Sequence, residues 1–224
     1  LTTQKEKPYV ILNAAMTLDG KIATKTRDSE ISSLEDWDRV YRLRSEVDAL
    51  MIGINTLLTD DPKISLKYPR KKPLIKVVVD SLARTPENAK ILQNKDGSII
   101  VIAVTENAPK DKVEKLRKAG AEIIFAGSDE KVDLKHLLRS LWNMGVRSVM
   151  VEGGGTLNWS LISEGLVDEV RVSIAPIIVG GKDSLTLVEG EGYDKVKDGF
   201  KLKLTNIEVV GGDVVLTYKR IVEG

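Results

Sequence analysis

Apolar and polar positions along this chain fall into two rhythms that take turns. Short, largely β-branched apolar runs at residues 9–12, 49–52, 75–79, 99–103, 122–125 and 148–151 have the length and composition of buried strands. Between them lie stretches of helical period with clear punctuation. Pro109 opens one, whose inward positions are Val113, Leu116 and Ala119, and Gly120 closes it. Asp133 is placed to N-cap the next, which carries Leu134, Leu137, Leu138 and Leu141 on one face and ends at Gly145. A helix from about Ser33 to Val47 puts Trp37, Val40, Tyr41 and Val47 on its inward stripe. Another, after Thr156, carries Leu157, Leu161 and Ile162 as far as Gly165.

From Val167 the rhythm changes. Residues 170–174 alternate, an irregular segment 175–199 follows, and residues 201–210 and 214–222 flank Gly211-Gly212-Asp213 as an antiparallel hairpin. Parallel βα units followed by antiparallel strands predict an α/β fold. Its expected form is a mixed, mainly parallel central sheet flanked by helices, with a C-terminal antiparallel hairpin. No internal repeat, low-complexity tract or linker interrupts the pattern, so a single domain over 1–224 is expected, with its core at about 8–220.

Composition narrows the function. The 224 residues are 42% hydrophobic and 30% charged, with a formal net charge of +1. That length can bury a sizeable core, and near-neutral charge leaves no electrostatic footprint for nucleic acid or an anionic membrane. No apolar run approaches the ~20 residues of a membrane span. The polar opening Leu1 to Lys7 lacks the pattern of a signal peptide, and Leu1 in place of a starting Met points to trimmed numbering. Cysteine is absent, which excludes disulfides, thiol nucleophiles and zinc–thiolate sites. The single histidine, His136, lies beside Lys135 on a polar helix face and reads as a surface residue, so neither a histidine triad nor a metal site is expected. Abundant Lys, Glu and Arg without cysteine suit a cytoplasmic protein from a hot environment.

Candidate chemistry gathers at the predicted strand ends. Val149-Met150-Val151-Glu152-Gly153-Gly154-Gly155-Thr156-Leu157 reads as a strand, a carboxylate at its tip, a tight glycine turn and a helix start. Glycines there let the main chain approach a ligand, and the free N–H groups of a first helical turn favour an anion such as a pyrophosphate. The spacing is neither GxGxxG nor a P-loop, and a purely structural tight turn is the plainer alternative. Arg44 falls on the inward stripe of its helix, where a guanidinium is costly unless it meets an anion, either a ligand or a structural Asp or Glu partner. Residues 53–62 follow a strand with little periodicity and carry hydroxyls, carboxylates and Pro62; a ligand loop is one reading, and helix capping by Thr59, Asp60 and Asp61 is the other. Asp80-Ser81 stands in the same relation to its strand, with Arg84 just beyond. Turn chemistry explains Asp19-Gly20 but leaves Lys21 unassigned.

Taken in order, several segments resemble a known family. Asn13 to Ala23, Asp28-Ser29, Thr56 to Pro62, Val79-Asp80-Ser81, Val151 to Leu157, Gly165 to Glu169 and Ala175-Pro176 are similar to the pyrimidine reductases of riboflavin biosynthesis, which have the dihydrofolate-reductase-like fold. Two departures are visible. A Trp common in bacterial relatives between the positions of Glu30 and Ile31 is missing, and Ile177 stands where a lysine is common. The chain also has none of the His and Cys ligands of a zinc deaminase, so it resembles the stand-alone reductases rather than the fused deaminase–reductases.

The resemblance implies reduction of 2,5-diamino-6-ribosylamino-4(3H)-pyrimidinone 5′-phosphate by NADPH, with NADH as an alternative donor, in a homodimer. It implies that Ala15, Thr56, Asp60, Ser81 and Gly153, Gly154, Gly155, Thr156 and Leu157 surround the cofactor, with Arg84 the cation available for its 2′-phosphate. It implies that Ser29, Arg44 and Lys67 hold the substrate phosphate and that Glu152 meets the pyrimidine N–H donors. Lys21 and Asp60 are then candidates for the chemistry at the ribose, with Glu152 the third member of the catalytic set. A pterin or dihydrofolate reductase on the same fold would leave Arg44 and Lys67 unexplained. A non-catalytic nucleotide-binding module would have no need for Lys21, Glu152 and Arg44 together.

Overall fold

The computed structural model describes residues 6–93 and 96–222, so the readings made on residues 1–5 lie outside the described residues. In chain order the strands are β1 (Tyr9–Thr17), β2 (Lys21–Ala23), β3 (Ala49–Gly53), β4 (Ile75–Val79), β5 (Ile99–Val104), β6 (Glu122–Phe125), β7 (Ser148–Val151), β8 (Glu169–Ala175), β9 (Leu185–Thr186), β10 (Leu202–Val210) and β11 (Asp213–Arg220). The α-helices are α1 (Leu34–Glu46), α2 (Ile54–Asp60), α3 (Lys110–Lys118), α4 (Leu134–Asn143) and α5 (Gly155–Ser163). Among the described residues no helix is long and apolar enough to cross a membrane. Two compact units emerge, Leu1–Tyr9 with Arg44–Met150, and Val10–Leu43 with Val151–Gly224.

In the first unit the strand order is β7-β3-β4-β5-β6, and β3, β4, β5 and β6 pair in parallel with their neighbours. Both faces of β3 to β5 are covered, which is why residues 49–52, 75–79 and 99–103 read as apolar runs, interrupted only by Lys76. Asp133 caps α4 as expected, its carboxylate accepting the His136 backbone N–H at 2.9 Å, and Leu134, Leu137, Leu138 and Leu141 are all buried. Asp48 ties the start of β3 to the start of β7, accepting the backbone N–H groups of Arg147 and Ser148 at 2.8 and 3.1 Å.

In the second unit the order is β10-β11-β8-β1, with β1 parallel to β8 and the others antiparallel, so the expected C-terminal hairpin is present. A separate two-stranded ribbon joins β2 to β9. The segment expected to be irregular between 175 and 199 therefore contains a short strand and a 3-10 turn at Val196–Asp198. Two residues are too few for a periodic signal.

Two local expectations change. The buried stripe of α1 is Asp36, Val40, Leu43 and Arg44, continuing to Val47, whereas Trp37 is 40% exposed and stacks on Tyr41 with ring centroids 6.0 Å apart. Val40, Arg44 and Val47 face inward as expected, while Asp36, which pairs with Arg39 as described below, and Leu43 replace Trp37 and Tyr41 on the stripe. Residues 54–60 form a helix rather than a ligand loop. Ile54 and Leu57 are its buried positions, and Asp61 closes it in the left-handed region (φ 40°), its N–H bonding the Leu57 carbonyl.

Candidate active site

In the second unit, β1 ends in the turn that carries Lys21. Thr17 Oγ1 donates to the Asp19 carboxylate at 2.5 Å and accepts the Lys21 backbone N–H at 3.0 Å, which fixes the entry into β2. Asp19 does more than shape the turn. It also accepts the N–H groups of Val179 and Gly180, at 3.3 and 2.8 Å, and so holds the segment after β8. The hydrogen bond from Thr17 is the main reason that its carboxyl lies below the usual pKa.

Lys21 pairs with Thr186 across the β2–β9 ribbon. Thr186 in turn donates its N–H and hydroxyl to Glu189, at 2.6 and 2.8 Å, while the Glu189 N–H donates to the Gly155 carbonyl at 3.1 Å. Asn158 Nδ2 adds a bond to the Leu187 carbonyl at 2.8 Å. A continuous set of bonds thus joins the Lys21 strand to the first turn of α5. Ala15 is half-buried on β1, Ser29 is exposed on the loop after β2, and Glu152 is half-buried immediately after β7.

The three glycines serve different ends. Gly153 has φ +103°, which favours glycine, and a Cβ there would meet nothing within 4 Å. The Gly153–Gly154 peptide is cis. Gly154 is the N-cap of α5 and, being glycine, has no side chain with which to cap the helix start. Gly155 is glycine for an internal reason. A Cβ there would lie 2.4 Å from Glu189 Cγ and 2.9 Å from the Thr186 carbonyl oxygen. Thr156 is exposed and Leu157 buried.

In the first unit, Thr56 and Asp60 both ride on α2. Desolvation by its neighbours raises the Asp60 carboxyl above its ordinary pKa. Ser81 is anchored after β4: its hydroxyl accepts the Val132 N–H at 3.2 Å and its carbonyl accepts from Thr105 at 3.0 and 3.1 Å. Asp80, fully buried, accepts the Thr85 N–H and hydroxyl at 2.7 and 2.8 Å and shapes the turn that presents Arg84. Arg84 is exposed and donates to Asn55 Oδ1 at 3.3 Å, which brings it beside the first turn of α2, next to Thr56.

Arg44 is 6% exposed, and its Nη1 donates to the Ser65 carbonyl at 3.1 Å. Its inward position therefore has a backbone acceptor as one reason, in addition to any ligand. Lys67, two residues beyond Ser65, is exposed, with its ammonium 5.6 Å from the Tyr68 ring centre. The structure thus brings Arg84 to Asn55, the neighbour of Thr56 in the chain, brings Arg44 to the segment that carries Lys67, and links Lys21 to the glycine turn through Thr186 and Glu189.

Several residues of these networks escape sequence reasoning. Glu189 and Asn158 have no local pattern that announces their contacts. Asp36 lies fully buried and accepts Arg39 Nε at 2.7 Å, and Arg39 Nη1 donates to Asn13 Oδ1 at 3.1 Å, on the β1 face that also carries Ala15. A charged pair at helical i,i+3 spacing reads as an ordinary surface pair.

Comparison with known proteins follows this geometry closely in extent. The family model described as the RibD C-terminal domain matches residues 8–216. A 2,5-diamino-6-ribosylamino-4(3H)-pyrimidinone 5′-phosphate reductase of Methanothermobacter thermautotrophicus is 52% identical over 216 residues, covering 95% of this chain and 98% of that protein. A protein of the same name from Archaeoglobus fulgidus is 42% identical, over 94% of this chain and 97% of its own. Among solved structures, Acinetobacter baumannii RibD superposes with a TM-score of 0.79 at 22% identity, over 96% of this chain. This chain spans 58% of that RibD chain, and the likeness is one of fold.

Proposed function

This chain belongs to the RibD C-terminal domain family, and we propose that it reduces the ribosylamino side chain of 2,5-diamino-6-ribosylamino-4(3H)-pyrimidinone 5′-phosphate to the ribitylamino product, with NADPH as the donor. It is an oxidoreductase of riboflavin biosynthesis with the dihydrofolate-reductase-like fold. The near full-length match to the archaeal reductase carries the reading. The family match runs through both compact units, which supports treating 1–224 as one reductase domain.

The residues suit a phosphorylated dinucleotide. A Cβ at Gly153 would meet nothing within 4 Å, and α5 opens on a glycine N-cap, a combination that lets a pyrophosphate approach the backbone N–H groups closely. Ala15, Thr56, Asp60, Ser81 and the turn from Gly153 to Leu157 form the cofactor set. Arg84, steadied by Asn55, is the cation for a 2′-phosphate and the reason to favour NADPH over NADH. When bound, the nicotinamide supplies the hydride.

The chain's own residues align and charge-match the substrate. Ser29, Arg44 and Lys67 hold its phosphate. Glu152, acceptor-only when ionised, takes the pyrimidine amino and ring N–H donors. Opening of the ribose ring leaves an imine at the anomeric carbon, and Lys21 meets the ribose oxygens, where charge develops as the ring opens. Asp60, with its raised pKa, is suited to hold a proton or orient the ribose. The protein acts as a homodimer through its late elements and resides in the cytoplasm, where a nicotinamide-dependent biosynthetic step belongs. Exposed Leu204, Ile207 and Val209 on β10 support the dimer.

The test is direct. Purified protein should oxidise NADPH on addition of the ribosylamino-pyrimidine phosphate and leave dihydrofolate essentially untouched. Comparable turnover of dihydrofolate would overturn the reading.

A further inference from the structure

We propose that Arg70 is a positioning residue for substrate phosphate, acting through a reciprocal clasp that sets Arg44 and suspends Lys67 between two anchors. The inference rests on the reading of Arg44 and Lys67 as phosphate ligands.

The last four carbonyls of a helix have no partner within it. At the end of α1, part of this need is met from a distance. Arg70 Nη1 donates to the Arg44 carbonyl and Nη2 to the Val47 carbonyl, while Nε donates to the Lys72 carbonyl at 3.3 Å. A planar guanidinium can satisfy two carbonyls at once because its donors form a fixed fork. Arg44 answers in the opposite direction, donating to Ser65 on the segment that carries Arg70. Each arginine thus bonds the backbone that bears the other.

Lys67 lies between these anchors, Ser65 on one side and Arg70 on the other. The segment is held in a shape that it would not adopt alone. Ile64, 4% exposed, sits at φ +50°, a left-handed conformation that a β-branched residue rarely takes. Such a conformation persists where the surroundings over-determine it, and such sites cluster at ligand clamps. Losing Arg70 frees the last turn of α1, where Arg44 resides, and one end of the span that carries Lys67. Both phosphate cations then lose their geometry while the residues assigned to the chemistry keep theirs.

The experiment measures kcat and KM for the phosphorylated substrate and for its 5′-dephosphorylated form. Arg70→Ala should raise KM for the phosphorylated substrate about tenfold, on the scale of one lost charge-assisted contact. Its kcat should stay within about twofold, and the dephosphorylated form should be affected little, because only phosphate binding is disturbed. Arg70→Lys should recover only part of the KM, since an ammonium lacks the fork. The Arg44→Ala/Arg70→Ala double variant should lose less than the product of the two single losses. A general loss of structure would instead lower kcat and weaken both substrates alike, which would overturn the proposal. If Arg70→Ala does not fold, Arg70→Lys and Arg70→Gln are read in the same way. An unchanged KM in the Arg70 variants, with a raised KM in Arg44→Ala, would also overturn it. If Arg44→Ala and Lys67→Ala themselves leave KM unchanged, the phosphate assignment fails instead, and the clasp with it.

Discussion

Lys76 offers a test of the energetics beneath the proposed cofactor residues. Its side chain is fully buried on β4, the strand that leads to Asp80 and Ser81, and its ammonium meets Asp96 at 2.9 Å. Burial drives the Lys76 pKa down, against the opposing pull of Asp96. Burial also tends to raise the Asp96 carboxyl, but hydrogen bonds from Ser98 and Lys76 outweigh it and the net shift is downward. Asp96→Asn keeps the size and removes the charge. Breaking one side of a buried pair costs about 3–5 kcal/mol; the Asp96 side chain is 22% exposed, so water replaces part of the loss and the lower end, about 3 kcal/mol, is expected. In a chain of this length that is a fall of roughly 6–12 °C in Tm. Lys76→Met should lie within about 1 kcal/mol of the parent or be more stable, because no buried charge remains and Asp96 can turn to solvent.

The pH dependence has a definite sign. With the folded Lys76 pKa below its unfolded value, the unfolded chain binds more protons between the two. Stability from this group therefore rises as pH climbs through that window. Asp96 behaves in the complementary way: its lowered carboxyl contributes stability above its unfolded pKa, and that contribution is lost as pH falls through the folded pKa. Asp96→Asn should steepen the alkaline gain and remove the acid loss, and Lys76→Met should abolish the alkaline gain. Urea denaturation at acid, neutral and alkaline pH reads all of these. A Tm for Asp96→Asn within about 2 °C of the parent would refute the reasoning.

Three further outcomes follow from the site. Gly154→Val, which introduces a side chain at the N-cap of α5, should weaken NADPH binding at least about tenfold in a folded protein; unchanged affinity by fluorescence titration would make the turn purely structural. Lys21→Met should mainly lower kcat, by about 10- to 100-fold if one charge-assisted contact forms in the transition state; a normal kcat at saturating substrate would remove Lys21 from the chemistry. Light scattering should give the mass of a dimer, and a monomer mass across micromolar concentrations would count against the assembly.

How much of this was legible in the sequence depends on how far each signal reaches along the chain. The parallel strands are apolar runs, and α4 is punctuated by Asp133 and Gly145, so local chemistry suffices for both. The glycine turn and its helix were equally plain, yet the cause of Gly155 was not. It is glycine because Glu189 and Thr186 press against it, a contact that spans 31 to 34 positions. Arg44 was visible as a charge on an apolar stripe, but its acceptor, Ser65, is 21 residues away and is a backbone carbonyl, which leaves no mark on residue type. Trp37 misled because an aromatic in a helical pattern suggests the core, whereas the buried position belongs to Asp36, whose partner Arg39 supplies the counter-charge. The seven-residue α2 was hidden by its two hydroxyls and the Asp60 carboxylate, with Ile54 and Leu57 its buried positions.

The central claim is hydride transfer to the anomeric carbon of a ribosylamino-pyrimidine phosphate. It is tested most directly by a turnover with nicotinamide cofactor deuterated at the transferable position, followed by NMR and mass analysis of the pyrimidine product. The account predicts a ribitylamino product that carries a single deuterium on the side-chain carbon bonded to the pyrimidine amine. Deuterium on the pyrimidine ring, or a ribitylamino product with none, would contradict it.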